Sequence, residues 1–271
     1  MNIILSKLLC GFSIVLASFQ AKSQLLASNT SKDLLNSTSK TVVKEANIKY
    51  PSTLQDHINE SLEYVEKFSE KKRNYLIRTY QKGKKFFPKI AAVLKRYHLP
   101  QELKVLIALE SAFNANAVSS AGAKGYWQFM DGPAKEYGLQ IVDKRTEADP
   151  KNKKKDDRTN FSKSTLAAAK YLSDRRRNLN NDLLLIVASY NWGIGNVWNA
   201  MKKTGKSDPG FWDIKKYLPS ETKAYVMNFI ALNVVFANYD NFLKNNMVFN
   251  SEIIEVPVSD NAGKINTSIT E

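Results

Sequence analysis

The chain has 271 residues, of which 43% are hydrophobic and 24% charged, and this is enough for one domain with a substantial core and further accessory segments. Its formal net charge of +14 at pH 7 favours an anionic partner, such as a nucleic acid, a membrane surface or a cell-wall polymer. With only His57, His98 and one cysteine, a zinc site of the His/Cys type is nearly excluded, and a Ser-His-Asp triad would depend on a histidine in a plain helical context.

The N-terminus has the features of a secretory signal peptide. Lys7 precedes an apolar stretch, residues 8–19, that is too short to span a bilayer as a helix. Ala21-Lys22-Ser23 then offers a small-x-small cleavage site. We predict that residues 1–23 are removed on export, so that the protein acts in the periplasm or at the cell wall. The single cysteine, Cys10, would be lost with this segment, and the mature chain would then contain no disulfide.

The rest of the chain divides by composition into a linker, a domain and a tail. Residues 24–51 are rich in Ser, Thr, Asn and Lys and predict a flexible polar linker. Residues 52–247 follow helical periodicity, with the core of the domain at about 90–245. Residues 248–271 form a tail, in which Glu252 to Val258 predicts a short strand. Because strands do not alternate with helices, a doubly wound fold is excluded and we predict a mainly α protein.

Local residues also predict where three helices of the domain begin. Pro100 suits the first position of one helix. Asp131-Gly132-Pro133 predicts the cap and first turn of a second helix, which Gly138 ends. Ser162 or Ser164 can cap a third.

One helix carries a carboxylate where the pattern predicts a hydrophobic residue. Leu103, Leu106, Ile107 and position 110 are spaced as one face of a helix, and Glu110 occupies the last of these positions. The other faces are also largely apolar, which is typical of a buried helix. Burial raises the pKa of a carboxyl group, and an acid that keeps its proton near neutral pH can act as a general acid in bond cleavage. A structural Glu that caps a helix or pairs with an Arg would show the same pattern, so both interpretations are open at this point.

Further segments complete a larger pattern. Residues 110–130 read Glu-Ser-Ala-Phe-Asn-x-Asn-Ala-Val-Ser-x-Ala-Gly-Ala-x-Gly-x-Trp-Gln-Phe-Met. Asp157-Arg158 follows, then Ser189 to Gly193, and finally Leu218 to Val226 at the start of the last long helix. In this order the segments resemble the catalytic domain of soluble-type (SLT) lytic transglycosylases, and they are most similar to the membrane-bound lytic murein transglycosylase D type. The resemblance covers roughly residues 60–245.

The resemblance implies a fold and a reaction. The fold is a mainly α, lysozyme-like domain of goose-type or SLT architecture, with an extra N-terminal helical segment and a short C-terminal strand in this chain. The reaction is cleavage of peptidoglycan between N-acetylmuramic acid and N-acetylglucosamine. Glu110 would protonate the glycosidic oxygen and then, once ionised, remove a proton from the 6-hydroxyl of the same sugar, giving a 1,6-anhydro product without water. The scheme needs one carboxylate, and none of the acids that follow Glu110 has an apolar setting: Asp131, Asp143, Glu147 and Asp149.

The resemblance also implies a set of substrate-binding residues, namely Ser111, Gly125, Gln128, Met130, Tyr190, Asn191 and Tyr225. The Gln128 amide offers a donor and an acceptor to an acetamido group. Gly125 permits close approach of the backbone to a sugar, and Tyr225 would place its hydroxyl near Glu110 and orient the carboxyl. Stacking on sugar faces and core packing are equally open roles for three aromatic residues, Trp127, Phe129 and Trp192.

Two other functions are open as well. A hydrolytic muramidase or chitin-type glycosidase could use the same fold, and so could a non-catalytic wall-binding protein. We expect a monomer whose partner is the glycan strand of peptidoglycan, with peripheral association with the membrane or with anionic wall polymers. No nucleic acid is expected, because no DNA- or RNA-binding module is recognisable. No metal is expected, because His and Cys are so scarce. No cofactor is expected either, because the one stretch similar to a phosphate-binding loop, residues 200–207, lacks the first glycine and a preceding strand. About 24 residues follow Met247, too few for the LysM repeat that many relatives carry.

Overall fold

The computed structural model describes residues 39–142 and 156–257. The predicted signal peptide, residues 1–23, lies outside the described residues, and so do three of the acids considered above, Asp143, Glu147 and Asp149. The described chain falls into two units, a small sheet and a helical unit of residues 47–249.

The smaller unit is an antiparallel pair of strands, β1 (Ser39–Lys44) and β2 (Glu252–Pro257), in which Val42 is paired with Ile254. β2 confirms the predicted C-terminal strand. β1 corrects the prediction of a flexible linker over residues 24–51, because part of that stretch is a strand. Its β-branched residues suit a pleated surface, but the strand that pairs with it lies at the other end of the chain, and local composition does not reveal so distant a partner.

The helical unit confirms the mainly α prediction within the described residues. The helices, in chain order, are α1 (Ile58–Lys71), α2 (Arg73–Gly83), α3 (Phe87–Arg96), α4 (Leu106–Ser111), α5 (Asp131–Glu136), α6 (Phe161–Asn178), α7 (Leu183–Trp192), α8 (Ile194–Lys202), α9 (Phe211–Ile214), α10 (Ser220–Ala237) and α11 (Tyr239–Leu243). Short 3-10 turns are present at Ser52–His57, Gln101–Val105, Asp157–Thr159 and Lys215–Tyr217. α1 and α2 form the extra N-terminal helical segment. Over the residues that the structure describes, no helix is both long enough and apolar enough to cross a bilayer.

Two helices form the centre of the core. α7 is buried continuously from Leu183 to Ser189, and α10 is buried on nearly every face, so neither has the polar side that a surface helix shows. α10 packs against α1 and α7, and it also contacts α4. The ends of α4 and α7, which carry several of the predicted site residues, therefore both belong to helices that pack against α10.

Two of the three predicted helix starts are close to those observed. Pro100 precedes the 3-10 turn Gln101–Val105, which continues into α4, so this helix begins in the tighter 3-10 form. Asp131 opens α5, and Gly138, with φ +83°, follows its end. The start after Pro100 and the end before Gly138 both follow from local sequence. Proline fixes φ at a value that suits the first turn of a helix, and glycine readily adopts the positive φ found just after a helix end.

The third helix start was wrong. Asn160, and not Ser162 or Ser164, caps α6, and its side chain accepts a hydrogen bond of 3.0 Å from the Lys163 amide. Ser164 is already inside the helix, where its hydroxyl donates to Asn160 O at 2.6 Å. Asn caps helices as strongly as Ser. With Asn160 as the cap, α6 begins at Phe161, earlier than either predicted serine would allow.

Candidate active site

Glu110 lies on the last turn of α4, at the edge of the core. Residues 106–108 of the same helix are buried, whereas Glu110 keeps part of its surface exposed. The helix ends directly after Ser111, because Ala112 (φ 48°) and Phe113 (φ 61°) both adopt the left-handed conformation. Glu110 is therefore a carboxyl group at the end of a buried helix that retains contact with solvent.

The hydroxyl of Tyr225, on α10, donates a hydrogen bond of 2.5 Å to Glu110 Oε1. Burial raises the pKa of the Glu110 carboxyl to about 7, and the Tyr225 hydrogen bond opposes this rise by favouring the ionised form. Burial and the nearby Glu110 also raise the pKa of Tyr190 and of Tyr225 well above the ordinary value. Both tyrosines are therefore neutral donors at pH 7, and the Glu110 carboxyl can keep its proton near neutral pH.

A turn of residues 122–130 is tied to the end of α4. Ser111 Oγ donates a hydrogen bond to Tyr126 O at 2.8 Å and accepts one from the Asn114 amide at 3.2 Å. Ser111 thus joins the Glu110 helix to this turn. The structure gives Ser111 a positioning role, and the contact with substrate implied by the resemblance stays a prediction.

Gln128, with φ 48°, closes the turn through its own side chain. Its Nε2 donates to Ala117 O at 3.0 Å and to Gly125 O at 2.8 Å. An amide nitrogen has two hydrogens, and both are used within the protein. The prediction that Gln128 offers a donor to the substrate is therefore wrong, and its carbonyl oxygen is the group that a ligand can use.

The space beside Gly125 is filled by the protein itself. Gly125 has φ +83°, and a Cβ added there would lie 2.0 Å from Arg158 O. The close backbone approach predicted at this glycine is thus made to Arg158, in place of a sugar. Gly125 acts on the site indirectly, because it shapes the turn that carries Gln128.

Arg158 is a buried cation behind this turn, and sequence reasoning missed its role. Its side chain is only 5% exposed, and it bonds Asp156 through Nε at 3.0 Å and Nη2 at 2.7 Å. It also reaches Asp131 Oδ1 at 2.5 Å and Phe129 O at 3.3 Å. A buried charge is tolerated only when it is paired in this way. The Asp157-Arg158 motif was a signal, but the paired carboxylates are those of Asp156 and Asp131.

The ends of α7 and α10 meet near the same place. Tyr190, on α7, donates to Trp127 O at 2.8 Å. Thr222, which is 1% exposed, donates to Asn191 Oδ1 at 2.8 Å. Thr222 and Tyr225 are three residues apart and so lie on one face of α10. Sequence reasoning missed Thr222, although its spacing from Tyr225 was visible. Because Thr222 occupies the carbonyl oxygen of Asn191, the amide nitrogen is left for a ligand.

The structure separates the candidate stacking residues. Trp127 is 1% exposed and Phe129 is 4% exposed, and Trp127 Nε1 donates to Thr165 at 3.0 Å, so both rings belong to the core. Trp192 is only partly buried, and Met130 is exposed at the start of α5. Of these four side chains, Trp192 and Met130 are therefore the two that keep exposed surface.

The arrangement is suited to proton transfer. Within residues 39–142 and 156–257, no group of three or more His, Cys, Asp or Glu side chains is placed to hold a metal ion. The hydrogen bond that the structure shows for Glu110 comes from Tyr225, and Asp131 is engaged by Arg158. A carboxyl group with a pKa near 7 can serve as an acid in one step and as a base in the next.

Comparison with known proteins gives a consistent set of relatives. Residues 87–210 match the profile of the family described as Transglycosylase SLT domain. The chain is 36% identical over 152 residues to the membrane-bound lytic murein transglycosylase D of Escherichia coli (strain K12), and the match covers 55% of this chain and 31% of that protein. The chain thus spans about a third of the length of this curated relative.

Two solved structures show a partial likeness. The lytic transglycosylase Slt of Pseudomonas aeruginosa aligns with a TM-score of 0.44 at 23% identity, over 56% of this chain and 24% of that one. The 70 kDa soluble lytic transglycosylase of Escherichia coli aligns with a TM-score of 0.44 at 22% identity, over 58% of this chain and 25% of that one.

Proposed function

We propose that this chain, whose residues 87–210 match the profile of the transglycosylase SLT domain family, is a lytic transglycosylase that cleaves the glycan strands of peptidoglycan without water. The observation that carries the proposal is the Glu110 carboxyl, with a pKa of about 7 and a Tyr225 hydroxyl at 2.5 Å. One group with this pKa can donate and accept a proton within a single cycle at neutral pH. The name of the Escherichia coli relative agrees with this activity.

In the first step, protonated Glu110 donates its proton to the oxygen that joins N-acetylmuramic acid to N-acetylglucosamine. The bond from C1 of the muramoyl sugar to that oxygen breaks, and the electron pair leaves with the oxygen. The acetamido group of the muramoyl sugar stabilises the cation at C1. Gln128 contributes its carbonyl oxygen as acceptor for the acetamido N–H, because its own N–H groups are bonded within the turn.

In the second step, Glu110 is ionised and removes the proton from the 6-hydroxyl of the same sugar. The oxygen then bonds to C1, which closes the 1,6-anhydro ring and returns Glu110 to its protonated form. Attack by a hydroxyl group already on the sugar has the entropic advantage of an intramolecular reaction. The Tyr225 hydrogen bond stabilises the carboxylate between the two steps.

We also propose that the protein acts in the cell envelope as a monomer, with the glycan strand as its partner and without a metal or cofactor. The support is the signal-peptide pattern of residues 1–23 and the positive net charge of the chain. The catalytic role of Glu110 and the substrate contacts of Ser111, Met130, Tyr190 and Asn191 are part of the same proposal.

The test is mass spectrometry of the products released from purified peptidoglycan. Anhydro-muropeptides, lighter by one water than products of hydrolysis, are the expected result. Products with reducing ends alone would identify a hydrolytic muramidase and overturn the non-hydrolytic mechanism.

Glu110→Gln is the accompanying variant, since it keeps the shape of the side chain but removes the proton donor. We expect it to lower the cleavage rate by a factor of at least about 10², the usual contribution of a general acid. Glu70→Gln, on the exposed surface of α1, makes the same chemical change away from the site and should cleave normally. An unchanged rate in Glu110→Gln would exclude both enzymatic mechanisms at this carboxyl and leave a wall-binding protein.

A further inference from the structure

A groove separate from the Glu110 site lies where the ends of α3 and α5 meet one face of α6. Its volume is about 660 Å³, within the range of about 300–1,000 Å³ that is typical of ligand pockets. Most of its lining side chains are polar or charged, among them Arg96, Glu136, Lys170, Ser173, Asp174 and Arg177. In the part of the chain that the structure describes, none of the lining residues belongs to the Glu110 site. We call this the α3–α6 groove.

The wall formed by α6 results from helical spacing. Lys170, Ser173 and Arg177 stand at positions i, i+3 and i+7 and so share one face of the helix. Arg176 is fixed beside them, because its Nη1 donates to the carbonyl oxygen of His98 at the end of α3. This bond links the two helices that form the groove, and α3 and α6 also contact each other directly.

The uncompensated charge in the groove is positive. Asp174 is already neutralised, since Tyr137 donates to its Oδ2 at 2.7 Å and Arg177 pairs with its Oδ1. Arg96 and Lys170 form no ion pair with any residue in the described ranges. Glu136 is the remaining acid of the groove. The groove therefore offers free cations together with a single free carboxylate.

Two buried polar atoms in the same wall lack a partner. Ser173 Oγ and Arg176 Nε are both buried and form no hydrogen bond within the described chain. Such atoms are rare in folded proteins, where buried donors almost always have a partner in the protein, in a water molecule or in a ligand. Both atoms can donate to an oxygen, and the residues that carry them line a groove that already favours anions.

We propose that the α3–α6 groove binds a short peptide that carries carboxylates. Carboxylate oxygens match the guanidinium and ammonium groups of Arg96, Lys170 and Arg176. A ligand with phosphate groups throughout would set some of them against Glu136, whereas a peptide with both carboxylates and an amine satisfies both signs of charge. If the proposed function is right, such peptides are those attached to the glycan strand, and the groove would hold the substrate away from the cleavage site. This last assignment rests on the proposed function, but the binding itself does not.

Binding is measured by isothermal titration calorimetry at low salt, with the Glu110→Gln protein and a synthetic Ala-Glu-Lys tripeptide as probe. Sodium tripolyphosphate is the phosphate probe. Lys170→Gln and Arg96→Gln each remove one exposed cation and are expected to weaken tripeptide binding about threefold, and the double variant about tenfold. Lys82→Gln removes the same charge from the exposed face of α2, outside the groove, and is expected to leave binding unchanged.

Absence of tripeptide binding, or equal weakening by Lys82→Gln, overturns the proposal. Tighter binding of tripolyphosphate than of the tripeptide also overturns it, and would identify a phosphate polymer as the ligand.

A second measurement addresses the source of the peptide. With Glu110 intact, the double variant is expected to raise KM several-fold on intact peptidoglycan at unchanged kcat, and to leave KM unchanged on glycan strands stripped of their peptides. If the double variant changes KM by the same factor on both substrates, or leaves KM unchanged on both, the assignment to peptidoglycan peptides is overturned. Failure of the proposed function is seen separately, as undiminished cleavage by the Glu110→Gln protein.

Discussion

Replacing Tyr225 by Phe isolates the contribution of one hydroxyl group to the acidity of Glu110. The hydroxyl donates to Glu110 Oε1 at 2.5 Å and lowers a carboxyl pKa that burial has raised to about 7. A hydrogen bond to a charged group contributes about 1.5–3 kcal/mol, and about 1.4 kcal/mol corresponds to one pKa unit. Removing the hydroxyl is therefore expected to raise the pKa by about one to two units, to about 8–9.

The assay is the pH profile of kcat/KM, with cleavage measured as the clearing of a peptidoglycan suspension. The proposed first step needs protonated Glu110, so the wild-type rate is expected to fall as pH rises through about 7. In Tyr225→Phe this fall should move to about pH 8–9. Tyr64→Phe is the matched control, because it removes a tyrosine hydroxyl that donates to Asn228 at 2.7 Å, away from Glu110. If the fall in Tyr225→Phe stays at the wild-type pH or moves lower, the hydroxyl does not set the acidity of Glu110.

Three other variants test the rest of the site. The folded pKa of Glu110, about 7, lies above the unfolded value of about 4.3, so the wild-type protein loses stability as pH rises through 7. In denaturant unfolding, the free energy of unfolding of Glu110→Gln relative to wild type should therefore increase by up to about 3–4 kcal/mol from pH 4 to pH 8.5. Parallel pH curves for the two proteins would contradict this. Gly125→Ala and Gly138→Ala both add a Cβ at φ +83°, but only the Cβ at position 125 meets backbone atoms. Gly125→Ala should therefore lower the free energy of unfolding by at least about 3 kcal/mol, and Gly138→Ala by about 1–2 kcal/mol. Equal losses would refute the steric argument. Thr222→Val should raise KM about five- to tenfold at unchanged kcat by releasing Asn191, whereas Thr222→Ser should keep the wild-type KM, and identical behaviour of the two variants would exclude a positioning role for the hydroxyl.

The parts of the molecule that follow from local periodicity could be predicted from sequence. The apolar faces of α4 predicted that the Glu110 carboxyl would lie against the core, because burial and helical spacing are properties of a few adjacent turns. They left its role open, and the catalytic assignment came from the resemblance. The short strand β2 was predictable for the same reason, since its residues alone favour an extended backbone.

The parts that depend on contacts between distant segments could not be predicted. The strand β1 pairs with residues at the far end of the chain, and its polar surroundings concealed it. The Gln128 donors are consumed by backbone carbonyls whose positions depend on how the turn closes. Gly125 was correctly identified as a special position, but the group that approaches it, the carbonyl of Arg158, arrives from a later segment. A motif thus indicates which residues matter, while the three-dimensional structure decides what each of them contacts.

The left-handed residues that end α4 have a consequence for engineering this protein. Ala112 and Phe113, at φ 48° and 61°, hold a conformation that L-amino acids rarely adopt, and each costs about 1–3 kcal/mol. Conformational strain is thus stored one turn or less from the acid. Glycine at position 112 would release part of that strain and make the protein more heat-resistant. It would also allow the helix end to fray, so that Glu110 would spend less time against Tyr225. Thermal resistance and turnover are therefore expected to change in opposite directions at this position.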